Sequence, residues 1–130
     1  MRIARYTTGD EPEYGVVGGE DGNEIVATLV GDPLYAGVEL TGQQLPLAEA
    51  RLLAPVIPRS KVVCIGRNYA AHVEELGHEI PAEPLVFLKP NTSVVGPFDP
   101  IVYPAQSSDV HFEGELAVVI ARICRDVPPD

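Results

Sequence analysis

Glu113 and Glu115 stand two residues apart in "DVHFEGELAVVIAR", Asp109 to Arg122, directly ahead of the apolar run Leu116 to Ile120. The run reads as a buried strand, in which residues i and i+2 share a face. Two carboxylates side by side at the mouth of such a strand repel each other and resist desolvation. A divalent cation would cancel both costs, and Mg²⁺, Mn²⁺ and Ca²⁺ all take carboxylate oxygens. The ordinary alternative is one solvated glutamate and one paired to Arg122 or Lys89, and because Glu-x-Glu recurs by chance the pattern leaves that alternative open. His111, two residues before Glu113, would face the same side as a third ligand, a neighbour that orients one, or a hydrogen-bonded structural histidine.

A second constellation lies upstream. His72 and Glu75 are three apart and share a face if their segment is helical. A histidine oriented by a carboxylate is the arrangement of a general base that activates water. A solvated surface pair is the competing reading, and Glu74, His78 and Glu79 show that this stretch is simply polar on one side.

The elements that would position these groups are short and closely punctuated. Proline (13) and glycine (12) are both abundant in the 130 residues, which favours strands joined by turns over long helices. Arg2–Tyr6, Tyr14–Val17 and Glu24–Leu29 read as strands, Gly31–Pro46 as a loop, and Arg51–Pro58 as an extended connector broken by two prolines. A domain boundary is set near Ser60, giving residues 1–59 and 60–130. Beyond it, Lys61–Gly66 is a compact buried strand that runs into Asn68, a good N-cap, with a helix over Tyr69–Leu76 and Gly77 as its C-cap. Leu85–Leu88, Ser93–Gly96, Ile101–Tyr103 and Phe112–Ile123 read as further strands. The chain then stops at Val127-Pro128-Pro129-Asp130, one turn beyond its most hydrophobic strand, so more polypeptide is expected to follow.

Net charge is −10 at pH 7, which argues against nucleic acid and against an anionic membrane surface, both of which need a basic face. No stretch approaches the length of a membrane span and no signal peptide is evident, so a cytoplasmic location is expected. Cys64 and Cys124 lie in apolar runs and are read as buried free thiols. The segment "VVCIGRNYAAH" superficially suggests a dinucleotide-binding turn, but with Gly66 alone the phosphate cradle lacks its other glycines, and that reading is rejected. Arg67 and Lys89 remain as candidate anion contacts.

"KVVCIGRNYAAHVEELG", "PLVFLKPNTSVVGPFDPIVYP" and "VHFEGELAVVIAR", in this order, resemble the fumarylacetoacetate hydrolase family. "MRIARYTTGDEPEYGVV" and "RLLAPVIPRSK" resemble its bacterial members, including acylpyruvate hydrolases and hydroxyhepta-diene-dioate isomerases. The resemblance implies a mainly β (α+β) chain, with a small N-terminal β-rich domain and the start of a mixed β-sandwich or β-roll catalytic domain. It implies a homodimer that uses Mg²⁺ or Mn²⁺, sometimes Ca²⁺, on small oxo acids. The expected reaction is hydrolytic C–C cleavage of an acylpyruvate through a metal-stabilised pyruvate enolate. Isomerisation or decarboxylation of hydroxy-diene-dioates, and oxaloacetate decarboxylation, are the family's alternatives. By position, Glu113 and Glu115 match the first two metal carboxylates, His72 and Glu75 match the water-activating dyad on a mobile lid helix, and Arg67 and Lys89 fall in segments that contact substrate. The family's third metal ligand is an aspartate further downstream than Asp126 and Asp130, neither of which is assigned to it. Two readings stand beside the enzyme: a non-catalytic fragment that pairs with a complementary subunit through an open sheet edge, and a metal-free oxo-acid binding module.

Overall fold

The computed structural model describes residues 1–129; Asp130 lies outside the described residues. The chain is mainly β. Strands β1 (Arg2–Thr7), β2 (Glu13–Gly18), β3 (Ile25–Leu29), β4 (Leu40–Pro46) and β5 (Arg51–Leu52) form one antiparallel sheet in the order β4-β3-β2-β1-β5. Strands β6 (Lys61–Gly66) and β7 (Leu85–Pro90) form a separate antiparallel ribbon, with Lys61 opposite Pro90 and Gly66 opposite Leu85.

The first sheet holds the buried core. Alternation along β1 turns Ala4 and Tyr6 inward, where they meet Val26 and Leu29 of β3. Tyr6 is fully buried, and its hydroxyl shares a 2.9 Å hydrogen bond with Thr28 Oγ1, so neither polar atom is stranded in the apolar layer. Gly15, on β2 between them, has no room for a side chain: a Cβ there would overlap Val26 Cγ1 and stand 3.3 Å from the Tyr6 ring.

The three N-terminal strands form where their alternation indicates. The loop expected over Gly31–Pro46 is instead a one-turn helix, α1 (Pro33–Ala36), followed by β4. Asp32 caps α1 by accepting the Leu34 N–H at 2.9 Å, and Pro33 occupies the first turn, where its missing N–H costs nothing. Strand β4 was hidden by its polar, glycine-containing sequence, Leu-Thr-Gly-Gln-Gln-Leu-Pro. That composition is tolerated because β4 is an edge strand with solvent on both faces, joined to β3 through a register shift between Ala27 and Leu29. At the opposite edge, β5 realises only the first two residues of the connector.

In the second half, β6 and β7 form over the expected residues with helix α2 (Ala70–Glu75) between them, but β6 is at most half-buried and β7 is exposed, against the buried strand expected for Lys61–Gly66. Its cap is not Asn68. Arg67 adopts a left-handed φ of +54°, which spends one more residue on the turn, and the helix enters through Tyr69 without a side-chain cap. Its end is as expected: Gly77, at φ +66°, donates to Glu74 O and the following His78 donates to Val73 O, a Schellman closure.

Three expected strands are absent among the described residues. Asn91–Ser93 form a 3-10 turn, closed by Ser93 Oγ donating to Pro90 O at 2.7 Å, and the chain from Val94 through Gly96 joins no strand ladder. Ile101–Tyr103 sits between Pro100 and Pro104, and no strand flanks it. Phe112–Ile123 forms no ladder among the described residues, and Leu116, Val118, Ile120 and Ile123 are exposed. A strand needs neighbours for its alternating N–H and C=O groups, and an apolar run does not supply them. The expectation of buried thiols fails with it: Cys64 on β6 is half-buried, whereas Cys124 is exposed. No helix among the described residues is long and apolar enough to cross a membrane.

Candidate functional site

Helix α2 is anchored by one residue. Val73 is buried, and with that side chain turned inward its neighbours Tyr69, His72 and Glu75 remain solvent-accessible on the helix's outer faces. His72 Nδ1 lies 3.5 Å from Glu75 Oε2, the contact that the i,i+3 spacing predicts. The other ring nitrogen, Nε2, lies 3.3 Å from Glu113 Oε1. One imidazole therefore bridges the two constellations that the sequence presents separately. A second link runs alongside: the Tyr69 hydroxyl accepts the Leu116 N–H at 3.0 Å.

The glutamate pair is not on a strand, so the same-face argument for Glu113 and Glu115 does not apply. What gathers this segment is helix α2. Glu113 turns to His72 rather than to Arg122 or Lys89, and Glu115 is exposed beyond it. Among the described residues, no group of three or more His, Cys, Asp or Glu side chains is placed to hold a metal ion. Two exposed carboxylates nevertheless match the chemistry of Mg²⁺, which keeps several waters and commonly takes one or two protein carboxylates.

The remaining candidates are dispersed. His111 pairs with Asp109, Nε2 to Oδ2 at 3.0 Å, and not with the glutamates. That hydrogen bond, then the Asp109 charge and more weakly the Glu113 charge, hold its imidazolium above the ordinary histidine range. Arg67 lines a small recess beside Asn68 and Glu83, and its left-handed backbone is the kind of strain that accumulates at functional turns. Lys89 on β7 stands 5.8 Å from the centroid of the Phe87 ring. No hydrogen bond or ion pair among the described residues joins Arg67 or Lys89 to the His72–Glu113 cluster. Asp126 pairs with the adjacent Arg125 at 3.3 Å, and Asp130 lies outside the described residues.

A groove of about 930 Å³ opens elsewhere, along Glu24, Leu47, Arg51, Phe98 and Asp99. Its charges already satisfy one another: Arg51 meets Asp99 at 3.2 Å, and Glu24 meets Arg2 at 2.9 Å. No histidine lines it, so volume and chemistry part company and the chemistry lies with α2. Tyr69 and the His72–Glu113 contact were missed in the sequence because residues so far apart in the chain carry no spacing signal.

Residues 61–130 match the family described as "Fumarylacetoacetate (FAA) hydrolase C-terminal", and residues 1–55 match "Rv2993c-like, N-terminal". Protein Rv2993c of Mycobacterium tuberculosis is 48% identical over 130 residues, which is 98% of this chain and 49% of that protein. The human mitochondrial oxaloacetate tautomerase FAHD2A is 49% identical over 78 residues, 60% of this chain and 25% of that protein. The crystal structure of a 5-carboxymethyl-2-hydroxymuconate delta-isomerase from Mycobacterium smegmatis superposes with a TM-score of 0.68 at 36% identity, covering 83% of this chain and 40% of that one. The chain thus spans half or less of the length of these relatives.

Proposed function

The chain belongs to the fumarylacetoacetate hydrolase family, and from that premise we propose that it carries the proton-transfer half of a metal-dependent active site for small oxo acids. The observation that supports this most directly is the His72 imidazole standing between Glu75 and Glu113. A Nδ1–H turned to Glu75 leaves Nε2 free to accept a proton on the Glu113 side. Glu75 then fixes the tautomer and balances the imidazolium that forms. His72 is exposed enough to exchange its proton with solvent between turnovers.

Glu113 and Glu115 would supply carboxylate oxygens to Mg²⁺ or Mn²⁺, with Ca²⁺ as a weaker fit, and the ion would contribute Lewis-acid polarisation of the oxo-acid oxygens. Arg67 and Lys89 would add positive charge for the substrate's carboxylates, which the net charge of −10 otherwise repels. In this reading residues 1–59 form an N-terminal domain and residues 60–130 the first part of a catalytic domain, in a protein that works as a cytoplasmic homodimer without nucleic acid or membrane.

Two outcomes of the same proton transfer are in play. In hydrolytic cleavage, His72 takes a proton from water, the hydroxide adds to the distal carbonyl of an acylpyruvate, and the C–C bond breaks to give a carboxylic acid and the pyruvate enolate. The His72 imidazolium returns its proton to the enolate carbon, leaving pyruvate, while the acid loses its proton to solvent. In tautomerisation or isomerisation, His72 moves a proton on the substrate itself and no water is consumed. The second reading is supported by the relatives named as a tautomerase and an isomerase. Proton NMR of the intact protein with Mg²⁺ in D₂O separates the two. Acetylpyruvate yielding acetate and pyruvate supports the hydrolase. Faster deuterium entry at C3 of oxaloacetate without new products supports the tautomerase. Folded protein that accelerates neither overturns the proposal.

A further inference from the structure

Among the described residues, the segment from Phe112 onward is joined to the rest of the molecule by two polar links, and both come from the start of α2. One is the His72–Glu113 pair at 3.3 Å. The other is the hydrogen bond from Leu116 N–H to the Tyr69 hydroxyl at 3.0 Å. No ladder holds this segment, because it forms no strand, and no other backbone hydrogen bond reaches it. The position of Glu113 relative to His72 is therefore set by α2 itself.

The two links differ in kind. The His72–Glu113 pair is a long contact between side chains that are 45% and 62% exposed, so it is screened and supplies little holding force. The Tyr69 bond, also solvent-exposed, runs from a rigid ring with only two side-chain torsions to a backbone amide three residues beyond Glu113, so it acts on the main chain itself and not on a long side chain. Tyr69 also stands at the helix entrance, one turn before His72. Its hydroxyl is not needed to cap α2, which forms without a side-chain cap bond.

We infer that Tyr69 is a positioning residue: its hydroxyl docks the Glu113–Glu115 segment onto helix α2 and sets the approach of the Glu113 carboxylate to the His72 imidazole. The inference rests on the proposed roles of His72 and Glu113, and deepens them by naming what holds the two together. Tyr69 touches neither reacting group in this arrangement. It acts through the Leu116 backbone.

The test is Tyr69→Phe in the intact protein, which keeps the ring and removes the hydroxyl, with Tyr35→Phe as the control for loss of an exposed tyrosine hydroxyl. Three readouts are taken at fixed pH: the nuclear Overhauser contact between the His72 ring and the Glu113 side chain, exchange of the Leu116 amide, and the dissociation constant for Mn²⁺ by calorimetry. In Tyr69→Phe the Overhauser contact is lost and Leu116 exchanges at least tenfold faster, with the melting temperature within a few degrees of wild type. Mn²⁺ binding weakens by about 10–100-fold, the usual effect of removing a group that orients a ligand. Tyr35→Phe changes none of these. Retention of both the Overhauser contact and the slow Leu116 exchange in Tyr69→Phe overturns the inference, as does loss of both with unaltered Mn²⁺ affinity where Glu113→Gln abolishes binding. If Glu113→Gln binds Mn²⁺ as wild type does, the metal assignment fails by itself, and the Overhauser and exchange readouts still decide the role of Tyr69.

Discussion

Replacing His72 by glutamine separates a catalytic role from a structural one, because the two roles predict effects of different size. Glutamine keeps much of the length and hydrogen-bonding capacity of the side chain but cannot accept a proton near neutrality. His72 is 45% exposed, and its partners Glu75 and Glu113 are 76% and 62% exposed. Pairs this open to solvent contribute between zero and about 1 kcal/mol each. Losing both, at most about 2 kcal/mol, moves the melting temperature of a protein of about 150–250 residues by at most about 4–8 °C. Removing a general base slows a reaction by about 10²–10⁴-fold, equivalent to about 2.7–5.4 kcal/mol in the barrier. The expected result for His72→Gln is thus a small thermal shift with a fall in kcat/KM of at least two decades, measured on the intact protein by calorimetric melting and by the NMR rate assay. A folded variant within about threefold of the wild-type rate would show that the imidazole is a bystander. A rate loss matched by an equally large loss of stability would show that it is a structural bridge.

Two further predictions concern the scaffold. Tyr6→Phe leaves the buried Thr28 hydroxyl without its 2.9 Å partner and should cost about 1–3 kcal/mol in urea unfolding, part of which returns when Thr28→Val is added; a single variant as stable as wild type would contradict this. The Asp99 carboxyl is held below its ordinary value near 3.8, first by the Gly96 N–H and then by Arg51. Its folded-state value is depressed, so the stability it lends is present above that ordinary value and is lost as pH falls through the lower folded one. The difference in urea midpoint between wild type and Asp99→Asn should therefore be flat from pH 6 to about 4 and shrink below; a difference constant down to pH 3 would refute the assignment.

What could be read from the sequence follows from how local each signal is. Strands β1, β2 and β3 are written in alternation, β6 and β7 in short apolar runs, and the C-terminal stop of α2 in Gly77, each over a few consecutive residues. Strand β4 was missed because an edge strand has no buried face to force an apolar pattern. Phe112–Ile123 failed in the opposite sense: its apolar run is real, but hydrophobicity reports a tendency to be covered and not the presence of a neighbour that covers it. The i,i+3 contact of His72 with Glu75 was legible for the same local reason as the strands.

The joining of the dyad to the glutamate pair was not legible, and the reason is instructive for this site. Each carboxylate cluster taken alone has an ordinary explanation as solvated surface charge, and its exposure agrees with that explanation. An imidazole aimed at both is harder to explain so. Surface selection alone has no cause to bring carboxylates from two distant segments to one ring, since Glu75 and Glu113 concentrate negative charge around a group that is neutral when it acts as a base. In a chain whose net charge is already −10, that concentration is unfavourable unless a cation or the imidazolium offsets it. A site that binds a divalent ion at the glutamates and shuttles a proton through His72 supplies both offsets, the first when the ion is bound and the second at the moment of transfer. Under the proposed function the metal and base roles are therefore coupled. Neutralising Glu113 should relieve the same repulsion that makes the cation favourable, and the base should lose its partner in the same substitution.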